Sequence, residues 1–449
     1  MLLLARYVLP ISGPVIEDGA VLVRGVEILA VGTRGELLVA HPDEEVIDYG
    51  HAALMPGFVD AHTHLEYSIF RGVVDDLPYT RWKMEVQRRA ARLERDDWER
   101  SARLGAVEAI RSGITTIADI TSSGLSVAAA DEAGLRAVIY RETSTMDSSE
   151  VEGELAAALA DMAAWCEAAT SDRIMIGIAP HSPYTCHPKL FRAIVDAIGT
   201  SDTHVAIHLA GSRDEYDFVK YGSSALGQDF RTQSGWSDQT WLPTGVSPVR
   251  YVYNWDLLEL PNVMAIHCIQ VDAEDIAILE RCDVAIAHCP RCNAKLGMGM
   301  APLGEFRARG LRVGIGTDSP ASNNTIDFFD EMRVGLLIQR ALRGDQGFYT
   351  AEEFIRLATL DAARALKLDH LVGTLEPGKR ADVIAVSLSH SYQAPTYNPA
   401  SALVHTCTQE DVLMTMVDGR VLYDRGEFST VDPAAMRDDL EQTRLKVRD

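Results

Sequence analysis

Four apolar, strand-like runs of this chain each close on a metal-competent side chain. They are Phe58-Val59-Asp60-Ala61-His62-Thr63-His64, His204-Val205-Ala206-Ile207-His208, Val263-Met264-Ala265-Ile266-His267 and Val313-Gly314-Ile315-Gly316-Thr317-Asp318. In a strand, residues i and i+2 share a face, so His62 and His64 reach toward one point. Together His62, His64, His208, His267 and Asp318 offer four imidazoles and one carboxylate. That set suits one borderline divalent ion, zinc ahead of ferrous iron.

Such strand ends serve one site if the strands run parallel and converge. Eight runs fit that scheme: Leu54 to Ala61, Thr115 to Ile120, Arg136 to Arg141, Ile174 to Ala179, His204 to Leu209, Asn262 to Cys268, Asp283 to His288 and Arg312 to Thr317. Their β-branched, apolar character is that of a parallel sheet buried on both faces. Helical patterns, such as Asp97 to Ser112 and Val151 to Ala168, fall between most of them. Eight such units predict an α/β fold, a (β/α)8 TIM barrel with its chemistry at the C-terminal ends of the strands. All five candidate ligands lie at such ends.

Short alternating strands with Gly and Asp-Gly punctuation fill the first fifty or so residues and recur near the far end, around Ala381 to Val386 and Val412 to Tyr423. This predicts a small β-sandwich domain built from residues 1–55 and 371–428 around a catalytic barrel over 56–370, with a C-terminal helix over 429–449.

The 449 residues carry a formal net charge of −23, which disfavours nucleic acid and anionic membranes as partners. The apolar start, Met1 to Ala5, lacks a basic leader, and no apolar run reaches membrane-spanning length. Seven cysteines, mostly in apolar strands, fit reduced thiols and a cytoplasmic protein. Cys289-Pro290-Arg291-Cys292 lacks the second pair that a structural zinc site needs. Two long segments follow ligand strands, Leu65 to Glu94 and Tyr221 to Leu260. Both are rich in aromatic residues, Trp82, Phe230 and Trp236 among them. Insertions on a catalytic face serve as lids or pocket walls, and these rings suit a flat heteroaromatic substrate.

Further segments extend the pattern: Ala179-Pro180-His181-Ser182-Pro183-Tyr184-Thr185, His288-Cys289-Pro290-Arg291 with Asn293, Gly316-Thr317-Asp318-Ser319, and Gly373-Thr374-Leu375-Glu376-Pro377-Gly378. With Pro56-Gly57-Phe58-Val59-Asp60-Ala61-His62-Thr63-His64 they make the chain resemble the metal-dependent amidohydrolase superfamily, in its branch of hydrolytic deaminases and chlorohydrolases. The runs His62 to Ser68 and Ser247 to Tyr251 look most like the aminofutalosine deaminase group. The resemblance implies a small-molecule substrate, homo-oligomers, and one divalent ion on His62, His64, His208 and Asp318, with His267 at the ion or the attacking water. It also implies Asp318 as general base and His181 and His288 as substrate contacts.

Two positions depart from that pattern. Deaminases of this branch carry a Glu three residues after the fifth-strand His, which protonates a ring nitrogen; here that residue is Gly211. Glu66 or Glu215 is then expected to supply the proton at the substrate. Otherwise the substrate is an amide, carbamate or urea that needs no ring protonation, or the protein binds its ligand with impaired catalysis. Nucleoside deaminases that resemble this chain also place a Glu after a Leu-Pro-aromatic run, and here Leu77-Pro78-Tyr79 leads to Thr80. The leading expectation is hydrolytic deamination of an aminated heteroaromatic or nucleoside-like compound.

Overall fold

Two sheets carry the chain, and Gly57 divides them. The computed structural model describes residues 1–344 and 348–448. Five strands come first: β1 (Leu2–Val8), β2 (Ile16–Arg24), β3 (Glu27–Thr33), β4 (Val46–Asp48) and β5 (Ala52–Pro56). Eight follow: β6 (Phe58–Thr63), β7 (Ile114–Thr121), β8 (Arg136–Thr143), β9 (Ile174–Pro180), β10 (Val205–Leu209), β11 (Val263–His267), β12 (Ala285–His288) and β13 (Val313–Ile315). The last four are β14 (Val383–Ser387), β15 (Val412–Val417), β16 (Arg420–Asp424) and β17 (Glu427–Phe428).

Strands β6 to β13 pair in sequential order and in parallel, as a (β/α)8 barrel requires. Seven adjacent pairs are joined along the ring, β9 and β10 through the single position Ile178 to Val205 and β6 and β7 with shifts of register. The eighth, between β13 and β6, is an isolated parallel bridge from Thr63 to Asp318, so the barrel closes at the residues that carry the chemistry. Strands from both termini form one nine-stranded mixed sheet, ordered β17-β16-β15-β14-β5-β1-β2-β3 with β4 on β1. Pairing of β5 with β14 joins the two ends of the chain.

The run Leu54 to Ala61, expected as one barrel strand, is two strands in two sheets. A Cβ at residue 57 would lie 2.1 Å from the Thr115 side chain, so glycine lets the chain pass this close to β7 while its N–H bonds the Asp382 carbonyl at 3.0 Å. The segment Leu65 to Glu94 is also more ordered than a loop. It holds a short 3-10 helix, Leu65–Phe70, and an α-helix, Tyr79–Ala90. The terminal helix, Pro433–Arg448, packs against that α-helix, and Arg89 donates to the carbonyls of Val447 and Arg448, each at 2.9 Å. The expected end of the terminal helix, Asp449, lies outside the described residues. Among the described residues, no helix is long and apolar enough to cross a membrane.

Barrel and terminal sheet are locked by a buried ionic cluster. Arg136, at the start of β8, donates to both carboxylate oxygens of Asp382 (3.0 and 3.2 Å) and to Asp418 (2.6 Å). Its side chain is 3% exposed, so removing the cation strands the buried Asp382 carboxylate. Arg136→Leu is therefore expected to cost about 3–5 kcal/mol, read as a lowered urea midpoint against wild type.

Candidate metal centre and active site

The bottom of the site is the seam between β6 and β13. Asp60 accepts from the Thr317 N–H (2.9 Å), the Thr317 hydroxyl (2.6 Å) and the His62 N–H (3.2 Å), and the Asp318 N–H donates to the His62 carbonyl at 2.8 Å. Strand β13 comes this close because residue 316 is glycine; a Cβ there would meet the His62 backbone at 2.8 Å. Burial pushes the Asp60 carboxyl up to about 7, against the hydrogen bonds that hold it down.

Alternation along β6 puts His62 and His64 side by side, ring centroids 4.8 Å apart, and His208 from β10 completes a triangle at 5.1 and 5.5 Å. One nitrogen from each of these three rings lies within 4.8 Å of the others. The Asp318 Oδ1 lies 3.8 Å from Nε2 of His62 and 4.0 Å from Nε2 of His64. Backbone carbonyls hold the far sides of two rings: Nδ1 of His64 bonds Ile120 at 3.1 Å, and Nδ1 of His208 bonds the His181 carbonyl at 3.0 Å. Each Nδ1 is therefore the donor, and each Nε2 faces the centre with its lone pair. The His62 Nε2 is buried and has no hydrogen-bond partner. Burial, and then the neighbouring imidazoles, hold His62 and His208 neutral, with pKa values well below the ordinary histidine range. Neutral rings converging on one point beside a carboxylate fit a divalent ion.

His267 ends β11 on the same side, 5.7 Å from His208 centroid to centroid, and its Nδ1 donates to Asn293 at 3.0 Å. His267 and Asp318 both have left-handed backbones, φ 76° and 58°. Such strain costs about 1–3 kcal/mol per residue and persists where surrounding structure enforces it.

Above the centre lies a cavity of about 170 Å³. Its floor holds His64, His208, His267 and Asp318, and its walls include Trp82, Phe230 and Trp236. Its roof is one face of the helix Tyr79–Ala90, namely Tyr79, Trp82, Lys83, Val86 and Gln87, spaced as a helix requires. Trp82 donates from Nε1 to the Ala321 carbonyl at 3.1 Å.

Other expected contacts are placed less evenly. His181 lines the cavity, its Nδ1 on the hydroxyls of Ser182 (2.8 Å) and Thr185 (2.7 Å). His288 does not; it is fully buried, neither ring nitrogen has a partner, and burial takes its pKa to about 3. Glu66 is turned away from the cavity by the 3-10 helix, its carboxylate taken by the hydroxyls of Thr121 and Ser123. Glu215 is buried under the turn after β10, accepting the N–H groups of Ala210 and Gly211 at 2.8 Å each. Neither carboxylate proposed to replace the missing acid reaches the cavity.

At Gly211 a side chain would be tightly confined. A Cβ there would lie 3.0 Å from the His267 ring and 3.1 Å from the Met298 methyl. Cys289 and Cys292 are buried at the seam, their thiols pushed well up by burial, and Cys292 touches the cavity. Two charged cavity groups were not singled out in the sequence: Lys83 and Glu142. The helical spacing from Tyr79 to Gln87 points to Lys83, whereas Glu142, near the end of β8, carries no signal beyond its place on a strand end.

The model of the amidohydrolase family matches residues 53–422. The chain belongs to the amidohydrolase family. It is 35% identical over 427 residues to a 5-methylthioadenosine/S-adenosylhomocysteine deaminase of Moorella thermoacetica, covering 95% of this chain and 94% of the relative. A 5'-deoxyadenosine deaminase of Methanothermobacter thermautotrophicus is 32% identical over 428 residues, 94% of either chain. The crystal structure of a zinc-bound adenosine deaminase from Xanthomonas campestris superposes with a TM-score of 0.86 at 27% identity, over 100% of this chain and 98% of that one. As a member of this family the protein is an enzyme, a hydrolase, and its histidines suit a divalent ion.

Metal analysis of protein purified without added metal is expected to give about one equivalent of a divalent ion, lost in His208→Ala. Glu215→Gln leaves one backbone N–H facing an amide donor, with an expected cost of about 1–3 kcal/mol and unchanged metal content.

Proposed function

We propose that this amidohydrolase is a hydrolytic deaminase of 5'-modified adenosine-type nucleosides, with zinc as its single metal ion. The observation that carries the reading is the convergence of His62, His64, His208 and Asp318 beneath an aromatic-walled cavity. Relatives named as deaminases of such nucleosides, alike over nearly the full chain, support the substrate class.

A bound zinc would be held by His62, His64, His208 and Asp318 and would supply acidity to water at neutral pH. The protein groups account for the rest. Asp318 takes a proton from water and passes it to the departing amine. Because the Nδ1 proton of His267 is committed to Asn293, its Nε2 is an acceptor, and it orients the attacking water by receiving a hydrogen bond. Rings of Trp82, Phe230 and Trp236 flank the heteroaromatic plane and exclude bulk water. No carboxylate takes the sugar hydroxyls from the run after Pro78: Thr80 is buried with its hydroxyl on Asp214. This fits substrates selected at the base and the 5' substituent more than at the ribose.

Gly211 favours a second reading, hydrolysis of an amide, carbamate or urea, where no ring nitrogen needs a proton. A panel separates the two. Ammonia release from 5-methylthioadenosine and 5'-deoxyadenosine, with none of the anilides or ureas cleaved, is expected; the reverse result rejects deamination. Asp318→Asn is expected to lower kcat by about 10²–10⁴-fold, as loss of general acid–base catalysis does. Binding of these nucleosides with no turnover by the metal-loaded protein would identify a ligand-binding protein instead.

A further inference from the structure

Deamination, the reading on which this inference rests, leaves one proton unassigned. Attack on an aromatic amidine drives the C=N pair onto the ring nitrogen, and position 211 offers no acid. Glu66 and Glu215 are committed to hydroxyls and backbone outside the cavity.

Lys83 faces the cavity from the helical roof. Its Nζ lies 3.0 Å from Nε2 of His181 and 5.8 Å from the ring centroids of Tyr184 and Phe230. A donating ammonium makes Nε2 of His181 the acceptor and leaves the ring proton on Nδ1, where the Ser182 and Thr185 hydroxyls receive it. The chain of hydrogen bonds fixes the direction of the ammonium. Glu142, 3.9 Å from Nε2 of His181, adds negative charge on the same wall. Among the described residues, His181 takes one of the three N–H bonds of Lys83, and the other two have no hydrogen-bond partner. Burial lowers its pKa against the pull of Glu142 and Asp318, which eases proton release.

We propose that Lys83 is the proton donor to the substrate ring nitrogen, in place of the carboxylic acid absent at Gly211. As the water oxygen bonds to the aminated carbon, the C=N π pair moves to the ring nitrogen and takes a proton from Nζ of Lys83. Asp318 receives one water proton and delivers it to the amino group, which leaves as ammonia with the C–N bonding pair. The remaining O–H proton returns to the neutral amine of Lys83 as the carbonyl forms. The sum is aminated ring plus water to lactam plus ammonia, with Lys83 restored.

The test uses the metal-loaded full chain, wild type, Lys83→Met and Lys83→Arg. The measurements are kcat and KM with 5'-deoxyadenosine, metal content, and affinity for two probes. One probe is the lactam product. The other is a purine nucleoside with a tetrahedral, hydroxyl-bearing carbon and a ring N–H in place of the amidine. Lys83→Met is expected to lose about 10²–10⁴-fold in kcat at unchanged metal content and product affinity, and to lose the preference for the tetrahedral probe. Lys83→Arg keeps the charge but holds its proton too tightly, so it is expected not to restore kcat. Wild-type kcat and probe preference in Lys83→Met would overturn the assignment and leave deamination standing. Loss of product affinity together with kcat would also overturn it, in favour of a structural role. A wild type that releases no ammonia would overturn both.

Discussion

Closure of the barrel between its first and last strands is the constraint on which the rest of the site depends. Strand β13 is three residues long, and regular pairing stops where it meets β6. The join is instead made by Asp60, which grips the Thr317 backbone and hydroxyl, by the Asp318 N–H on the His62 carbonyl, and by the Thr63 hydroxyl on the Asp318 carbonyl. Asp60 precedes His62 by two residues and Thr317 precedes Asp318 by one, so the bonds that close the fold also aim two of the metal-competent side chains. The left-handed backbone at Asp318 is held by the same contacts. Fold stability and site geometry are one set of hydrogen bonds here.

From that seam the order spreads around the ring of strands. Three of the four imidazoles are oriented by a group at or beyond a neighbouring strand end: His64 by the Ile120 carbonyl of β7, His208 by the carbonyl of His181 after β9, His267 by Asn293 after β12. A parallel barrel offers this because adjacent strands present carbonyls at the same height. The tautomers follow, and with them the chemistry. Two rings offer Nε2 to an ion, and the third offers its Nε2 to water.

Strand ends were legible in the sequence because they combine two signals, an apolar run and a terminal His or Asp. The fold class and the convergence of His62, His64, His208 and Asp318 follow from them. The break at the start of the first barrel strand is not legible locally, since Ala52–Pro56 runs on through Gly57 into the apolar Phe58-Val59; what separates the strands is the Thr115 side chain against Gly57, a contact with a residue far along the chain. Glu66 misled for a different reason. It follows the His-Thr-His motif directly, yet the 3-10 helix that begins at Leu65 rotates it toward Thr121 and Ser123. Lys83 is not legible from its motif, because facing follows from spacing only once Tyr79–Ala90 is known to be helical. Applied as a helix, the same residues place Lys83 beside Trp82 on the cavity face.

Gly211 and Lys83 are linked by space and charge. A side chain at 211 would begin 3.0 Å from the His267 ring and 3.1 Å from the Met298 methyl, so a carboxylic acid there requires those neighbours to give by a few tenths of an ångström. A donor arriving from the roof avoids that conflict. It also changes the site's charge balance: a cation now faces Asp318 and Glu142 inside a chain whose formal charge is −23. Burial acts on the two acids in opposite directions, holding a carboxyl protonated and easing proton release from a lysine ammonium. The cost is that a half-buried lysine needs partners when no ligand is bound. Nε2 of His181 at 3.0 Å and the rings of Tyr184 and Phe230 provide them, which explains why His181 meets a lysine before it meets substrate.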